Sequence, residues 1–323
     1  LERLAELPAF RVSIADTVGA GDSFNGGLLA RQGHDVTFVA RGAHLEAIRK
    51  NGLQVRSIHG NFEVSPAKAT DQPAEIGAVD LILFCTKTYD TEKSAQAILS
   101  IAGDQTTVLS LQNGIDAVER VGKFVGVEKM LGGATWISSA IEAPGIIKQV
   151  SQFRRVVFGE LDGRVTPRVQ AIFDAFQPTG ITVEISQDIL KLLWTKFVFI
   201  SAASSFGALT RLPMGDWREP PQTREMILRL MKEVEAVGRA HGANLDADVA
   251  EKSLAFIDSS APHIRASMQV DVEAGRQFEL EALVGAIGRK GREKGVSTPL
   301  TDAVYAALLP VNLKALRAAN EAK

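Results

Sequence analysis

The chain has 323 residues, of which 46% are hydrophobic and 23% are charged, and its formal net charge is −2. This length predicts roughly two domains with ample material for a core, and the near-neutral charge argues against general binding to nucleic acid or to a membrane surface. The single cysteine, Cys85, excludes an internal disulfide and a cysteine-rich metal site.

Targeting and metal-binding patterns do not stand out in the sequence. It shows no signal peptide and no run of about 20 apolar residues, so we expect a cytoplasmic protein without a membrane span. The five histidines are scattered without the spacing of metal ligands. We therefore expect no metal site.

The first forty residues read as a strand, a glycine-rich loop, a helix and a second strand. Residues 11–15 and 35–40 supply the strands, and Gly19 and Gly21 lie in the loop. Because backbone N–H groups in such a loop point at a bound anion, this order predicts the start of a dinucleotide-binding unit. The third glycine of a GxGxxG fingerprint is missing in either register, so residues 1–27 are atypical and we expect weakened cofactor binding.

Arg41 ends the second predicted strand, about 20 residues after the glycine loop. An acidic residue at this point would hold the ribose of NAD, whereas an arginine favours the 2′-phosphate of NADP. The alternative is a surface arginine that opens a loop. Its position favours the cofactor role, so the sequence predicts NADPH.

Two further predicted strands end in polar side chains. Lys87 follows the apolar run 79–85, which is typical of a parallel strand buried on both faces, and Asn113 follows the strand 107–111. Ligands bind outside the carboxyl ends of parallel strands, so both residues are placed to meet a cofactor or a substrate. For Asn113, a turn before Gly114 is an equally good interpretation.

The remaining pattern divides the chain at residue 185. Residues 90–101 predict a helix, and residues 130–139, 146–160 and 180–185 predict strands. The fold class is therefore α/β, with a Rossmann-like doubly wound sheet over 1–185 followed by an all-α domain over 186–323.

The stretch 190–209 predicts a largely buried helix with Lys196 in its middle. Burial disfavours the charged ammonium and lowers its pKa, which suits a proton donor near neutral pH. Ile200 and Ser204 share its helix face. The alternative is a lysine that extends its ammonium to water along an apolar helix.

Glu279 is the second candidate in the helical region. The sequence predicts a helix running from 275 to 294 with Glu279 in its first turn, where a carboxylate is stabilised by the helix dipole. Its other interpretation is a polar partner for a ligand or for Lys196.

From about Leu28 onward, the chain resembles the ketopantoate reductase (2-dehydropantoate 2-reductase) family. The resemblance rests on separate motifs that occur in the family's order over about nine-tenths of the chain, namely Gly33-His34-Asp35-Val36 with Arg41, Lys87, Gln112-Asn113-Gly114, Leu193-Trp194-Thr195-Lys196, Ser267-Met268 with Asp271, and Phe278-Glu279-Leu280. It implies NADPH-dependent reduction of a small-molecule 2-keto acid in a cleft between the two domains.

The resemblance also implies a role for each candidate. Lys196 is the proton donor to the ketone oxygen, and Glu279 holds the cofactor ribose or orients the lysine. Asn113 contacts the nicotinamide and the substrate. The remaining roles are cofactor binding for Arg41, Lys87 and Ala140, the last through a loop before Pro144, and substrate binding for Ser204 and Ser267.

The chain departs from the family where asparagines are frequent. Ile200, Ser204 and Met214 stand at these positions. Since those amides meet the hydroxyl end of the family's substrate, we expect a less polar 2-keto acid here. The oligomeric state stays open, with a homodimer as one candidate.

Two other interpretations compete with a reductase. Residues 16–24 resemble the signature of ribokinase-type sugar kinases, in which the aspartate matching Asp22 is the catalytic base. In those kinases the motif lies late in the chain, so we interpret it here as a kinase-like loop in place of the native one. A sugar kinase, or a catalytically silent protein with a damaged cofactor loop, remains the alternative.

Overall fold

An eight-stranded, mostly parallel sheet forms the frame of the first part of the chain. The computed structural model describes residues 10–15 and 20–321, and the strand order in this sheet is β12-β11-β8-β7-β6-β1-β2-β5. β8 and β11 pair antiparallel, whereas the other neighbours run parallel. A second sheet has the order β4-β3-β10-β9. The strands are β1 Arg11–Ala15, β2 Asp35–Val39, β3 Leu53–Ser57, β4 Phe62–Val64, β5 Lys68–Thr70, β6 Leu81–Phe84, β7 Thr107–Ser110, β8 Met130–Trp136, β9 Ser139–Ala143, β10 Ile146–Gln149, β11 Arg155–Gly159 and β12 Thr182–Ile185.

Helices cover both faces of the large sheet, and this explains why its central strands are apolar throughout. Leu81 and Leu83 of β6 pack in one core with helices α1 and α5, whereas Ile82 and Phe84 pack in another with α3 and α4. Side chains alternate between the faces of a strand, so a strand buried on both sides reads as an unbroken apolar run. The helices of this part are α1 Ala20–Arg31, α2 Gly42–Asn51, α3 Thr91–Ala97, α4 Ala117–Val125 and α5 Pro167–Phe176.

The second part of the described chain is helical. Its core gathers around α6 and includes Trp194, Phe197, Met231 and Phe278. The helices are α6 Ile189–Thr210, α7 Met214–Arg218, α8 Pro221–Ala240, α9 Val249–Ser259, α10 Ser267–Glu273, α11 Ala286–Lys294 and α12 Pro299–Glu321, and a π-helical segment, Glu281–Gly285, precedes α11. A parallel Rossmann-like sheet followed by helices confirms the predicted fold class.

Two compact units divide the chain. The first comprises Leu1–Gln112 and Ala117–Ile189, and the second comprises Asn113–Asp116 and Leu190–Lys323. The short segment 113–116, directly after β7 and Gln112, thus groups with the helical unit. The predicted boundary between 185 and 186 was drawn from the sequence pattern and stays a prediction.

One helix of the described chain has the length and apolarity of a membrane span. This is α6, with a mean hydropathy of 1.4 over its most apolar 18 residues. Of that window, 61% is buried inside the protein. The core helix of a water-soluble protein meets the same criteria, so this finding carries no membrane assignment.

Three local predictions were wrong. Residues 146–160 form two strands, β10 and β11, rather than one, because β10 pairs in the small sheet and β11 pairs in the large one. Ala140 lies in strand β9 and not in a loop. Glu279 precedes its helix instead of lying in its first turn, because residues 276–279 form no helix and the chain enters the π-helical segment only after them.

Candidate active site

Lys196 is the eighth residue of α6, the long helix that the helical core surrounds. The helix forms because its 22 residues lack proline and because apolar side chains on most sides pack into that core. The lysine side chain is partly buried, and its Nζ donates a hydrogen bond to Oδ1 of Asn113 at 3.0 Å. The ammonium is therefore held by a polar partner instead of extending into bulk water.

The electrostatic surroundings of Lys196 set its protonation near neutral pH. Desolvation, the larger influence, lowers the pKa of Lys196 from 10.5 to about 8, and the negative charge of Glu279 works in the opposite direction. Below about pH 8 the amine therefore carries a proton that it can release more easily than an ordinary lysine does. This is the property required of a general acid.

Asn113 reaches the lysine from a bend in the chain directly after β7 and Gln112. Gly114, the next residue, has φ 108°, a backbone conformation that L side chains rarely adopt. A Cβ on Gly114 would lie 3.6 Å from the carbonyl oxygen of Ala282, so the bend lies beside the π-helical segment. The chain thus bends at Asn-Gly, and the amide of Asn113 meets Lys196 from this bend.

Glu279 lies in the short irregular stretch that joins α10 to the π-helical segment. Its side chain is only 7% exposed, and its backbone carbonyl accepts from Leu283 N at 3.0 Å. The preceding residue, Phe278, donates its backbone N–H to Oδ1 of Asn312 at 3.0 Å. Within the helical unit, Lys196 therefore interacts with both other residues: it donates a hydrogen bond to Asn113, and the charge of Glu279 raises its pKa.

The predicted substrate residues divide into buried and exposed ones. Ser204 is 1% exposed, and its Oγ has no hydrogen-bond partner among the described residues. Ser267 is exposed as the first residue of α10. Ile200 packs against the helical core and Met214 is buried within it, so two of the three positions that departed from the family's asparagines offer no hydrogen-bonding group.

Two of the predicted cofactor residues lie in the sheet unit, just past the carboxyl ends of strands that flank β1. Arg41 follows β2 and Lys87 follows β6, and these strands flank β1 on either side. Helix α1 begins at Ala20, soon after β1, and Gly21 is its second residue. Gly19 lies outside the described residues, as does Asp16.

The residues present fit a dinucleotide phosphate. Two cations stand beside the strand that leads to a helix N-terminus, and positive groups at such a terminus attract phosphate. The Arg41 side chain is 43% exposed, and its Nη2 lies 3.4 Å from Oδ2 of Asp90. A guanidinium that is both exposed and oriented by a carboxylate suits recognition of a phosphate group.

The loop after β6 is fixed by a residue to which the sequence assigned no role. Gln112 is buried, and its Nε2 donates to Thr86 O at 2.7 Å and to Thr91 Oγ1 at 3.0 Å. These bonds tie the loop that carries Lys87 to the end of β7. The Gln-Asn-Gly motif was the available signal, but a glutamine after a strand does not reveal its partners.

The predicted cofactor contact of Ala140 finds little geometric support. Ala140 is exposed on β9 and pairs with Lys148 of β10 in the small sheet. Among the described residues there is no group of three or more His, Cys, Asp or Glu side chains suited to a metal ion.

A Rossmann-like sheet with cations at its strand ends, followed by a helical unit with a lysine of lowered pKa, defines a class of nicotinamide-dependent reductases and dehydrogenases. Two family models narrow this class. The one described as Ketopantoate reductase PanE/ApbA matches residues 18–163, and the one described as Ketopantoate reductase PanE/ApbA C terminal matches residues 188–312. The chain belongs to the ketopantoate reductase family.

Individual proteins agree with this assignment. The chain is 30% identical over 293 residues to the uncharacterized oxidoreductase YkpB of Bacillus subtilis, covering 90% of this chain and 96% of that protein. It is 32% identical over 288 residues to a 2-dehydropantoate 2-reductase of Archaeoglobus fulgidus, covering 88% and 93%. The crystal structure of a PanE/ApbA family ketopantoate reductase from Ralstonia eutropha JMP134 matches with a TM-score of 0.86 and 27% identity, covering 94% and 99%.

These comparisons also bear on the atypical N-terminal segment. The first family model begins at residue 18 and so includes Gly19, Gly21 and Asp22. Nothing in the comparisons supports the sugar-kinase interpretation or a kinase graft. The family assignment establishes a nicotinamide-dependent reductase acting on keto acids as the class of activity.

Proposed function

We propose that the protein reduces a 2-keto acid to the 2-hydroxy acid with NADPH, and that its substrate is less polar than 2-dehydropantoate. The observation that carries the proposal is the hydrogen bond from Lys196 Nζ to Asn113 Oδ1 beside the buried carboxylate of Glu279. A bound nicotinamide supplies a hydride to the carbonyl carbon. The substrate oxygen then becomes negative and needs a proton.

Lys196 supplies that proton in the proposed reaction. Its ammonium faces the oxygen, stabilises the developing charge and transfers one proton as the alkoxide forms. Asn113 Oδ1 accepts one N–H of the ammonium and so directs the others. Glu279 raises the pKa of the amine against the effect of burial and keeps it protonated at neutral pH.

The cofactor preference is proposed from Arg41. Exchanging Arg41 for alanine removes the guanidinium that meets the 2′-phosphate, so the Kd for NADPH rises about tenfold or more while that for NADH changes little. Arg49 is a matched control, because its side chain is 44% exposed against 43% for Arg41 and its partners are Glu46 and Asp71. Fluorescence titration measures both cofactors. Equal losses for NADPH and NADH in R41A would contradict the preference.

The altered glycine loop weakens the cofactor site in this proposal. Without the third glycine, helix and strand cannot approach as closely as in an intact fingerprint. We expect NADPH to bind more weakly than such a loop allows. A sub-micromolar Kd by titration would show that the loop is tolerated, and the absence of any NADPH binding would favour a catalytically silent protein.

Substrate preference is proposed from Ile200 and Met214, which place apolar side chains where the family frequently has amides. A panel of 2-keto acids, read by the loss of nicotinamide absorbance, compares simple aliphatic acids with 2-dehydropantoate. We expect higher kcat/KM for the aliphatic acids, and Ile200→Asn to shift the ratio about tenfold toward 2-dehydropantoate. Turnover of 2-dehydropantoate that equals or exceeds that of the aliphatic acids would refute this preference.

The same proposal names the partner of the enzyme and its cell compartment. The partner is a small-molecule keto acid, and the cytoplasm is the compartment we propose, because it supplies both keto acids and NADPH. Cell fractionation followed by an activity assay checks the compartment.

A further inference from the structure

We propose that helix α12 positions the carboxylate of Glu279 close to the amine of Lys196, and that Asn312 is the principal positioning residue. The inference rests on the proposed function and extends it to a helix that supplies no group to the reaction. Its basis is that α12 holds the chain on both sides of Glu279.

The first attachment precedes Glu279 by one residue. Phe278 is 1% exposed, and its backbone N–H donates to Asn312 Oδ1 at 3.0 Å. Residues 276–279 belong to no helix or strand, so this N–H has no helical partner. Without Asn312, a buried donor would stay unpaired, and the stretch would shift to satisfy it.

The second attachment follows Glu279 by two residues. Tyr305 donates its hydroxyl hydrogen to Glu281 Oε1 at 2.5 Å, and Arg289 Nη1 donates to Glu281 Oε2 at 2.6 Å. Tyr305 and Asn312 are seven residues apart on α12 and therefore lie on one face. Pro310 lies inside this helix between them, where its missing N–H interrupts the helical ladder.

The segment held between these attachments has an uncommon backbone. Glu281–Gly285 is π-helical, and such turns are frequent at functional sites because they re-aim neighbouring side chains. A Cβ on Gly285 would lie 2.8 Å from Glu281 Oε2 and 3.1 Å from Tyr305 Cε2. The absence of a side chain there lets Glu281 and Tyr305 meet, which links the π-helical turn to α12.

The consequence concerns the amine and not only stability. Glu279 raises the pKa of Lys196 through its charge, and this effect depends on the distance between the two groups. Releasing Phe278 lets the carboxylate move away from the amine. The burial of Lys196 is then less compensated, and its pKa falls below about 8.

The test compares three substitutions at asparagines of α12. Asn312→Ala removes the acceptor, Asn312→Asp keeps an oxygen at the same place, and Asn320→Ala removes an exposed asparagine from the same helix as a control. The pKa of Lys196 is measured in the apo-protein by NMR of lysines labelled with ¹³C at Cε, with Lys196→Met assigning the signal. In parallel, kcat and KM are measured across pH for the keto acid that the wild-type protein reduces with the highest kcat/KM.

We expect N312A to lower the pKa of Lys196, to move the alkaline limb of the kcat profile to lower pH and to reduce kcat about tenfold with little change in KM. In N312D the alkaline limb of the kcat profile returns to its wild-type position, and in N320A it does not move. A folded N312A protein with the wild-type pKa of Lys196 would overturn the inference. If N312A does not fold, Tyr305→Phe decides in the same way, because it removes one hydroxyl and must lower the pKa in the same direction.

The NMR readout separates this inference from the proposed function. A wild-type protein that reduces no keto acid contradicts the proposed function, while the pKa of Lys196 in N312A still decides the role of Asn312. Conversely, an active enzyme whose Lys196 titrates identically in wild type and N312A contradicts only the role of Asn312.

Discussion

Replacing Lys196 by methionine is expected to abolish reduction and yet to stabilise the folded protein. Burial lowers the pKa of the amine from 10.5 to about 8, and each unit of difference corresponds to about 1.4 kcal/mol. Holding the protonated amine in the folded state therefore costs about 3 kcal/mol at neutral pH, a net value that already contains the attraction of Glu279. Methionine keeps the apolar stem and has no charge to desolvate.

One term opposes this gain. Asn113 Oδ1 accepts from Lys196 Nζ at 3.0 Å, and losing that donor costs about 1 kcal/mol. The expected result is an increase of about 2 kcal/mol in the free energy of unfolding of K196M at pH 7. Urea titration followed by tryptophan fluorescence suits this measurement, since Trp194 and Trp217 both lie in the helical core.

The pH dependence of the same measurement has a fixed sign. Between about pH 8 and 10.5 the unfolded protein binds more protons at this lysine than the folded protein does, so wild-type stability rises with pH across that window. K196M lacks this contribution, and its advantage over wild type narrows from pH 7 to pH 10. A K196M protein that is no more stable than wild type at pH 7, or an advantage that grows with pH, would refute the reasoning.

Two further predictions concern stability elsewhere in the molecule. Asn25 is fully buried in α1, and neither its Oδ1 nor its Nδ2 has a partner among the described residues. Asn25→Leu, of similar shape, is therefore expected to raise the free energy of unfolding by about 1–2 kcal/mol. A loss of stability in a urea titration would show that the amide has a partner. Glu233 accepts hydrogen bonds from Leu300 N, Thr301 N and Thr301 Oγ1 at 2.7–2.9 Å and so caps the start of α12. Glu233→Ala is therefore expected to lower the free energy of unfolding by about 2–3 kcal/mol. A Tm within 1–2 °C of wild type, measured by calorimetry, would contradict that role.

The sequence predicted best those elements whose pattern is local. The apolar runs of β6 and β7 report burial on both faces of a sheet, and the long apolar stretch of α6 reports a helix inside a core. Both signals arise from consecutive residues, so their reading requires no knowledge of partners. The fold class follows from their order along the chain.

Other elements lack such a local signal. The strands β3, β4 and β5 between residues 53 and 70 have three to five residues each and mixed polarity, and pairing within the sheets stabilises them. Helix α10 has seven residues, and a helix this short depends on tertiary packing. The π-helical segment changes the backbone before and after it, which is why Glu279 lies outside the helix predicted to contain it.

The sequence predicted the residues of the site but not the residues that hold them in place. Lys196 could be identified because a charge inside an apolar helix is unusual, and Asn113 because it follows a strand end. Asn312 accepts its hydrogen bond from the backbone N–H of Phe278, 34 residues away in the sequence, and no spacing indicates such a pair. The same holds for Gln112, whose partners Thr86 and Thr91 lie on other elements.

The central claim is that Lys196 donates a proton to the oxygen of a keto acid. The most direct measurement is the pH dependence of kcat/KM for keto-acid reduction, with NADPH saturating, between pH 6 and 10. Since the amine must be protonated and the pKa of Lys196 is about 8, the account predicts a constant rate at low pH and a tenfold fall per pH unit above about pH 8. A rate that stays constant to pH 10, or a K196M variant with the wild-type profile, would contradict it.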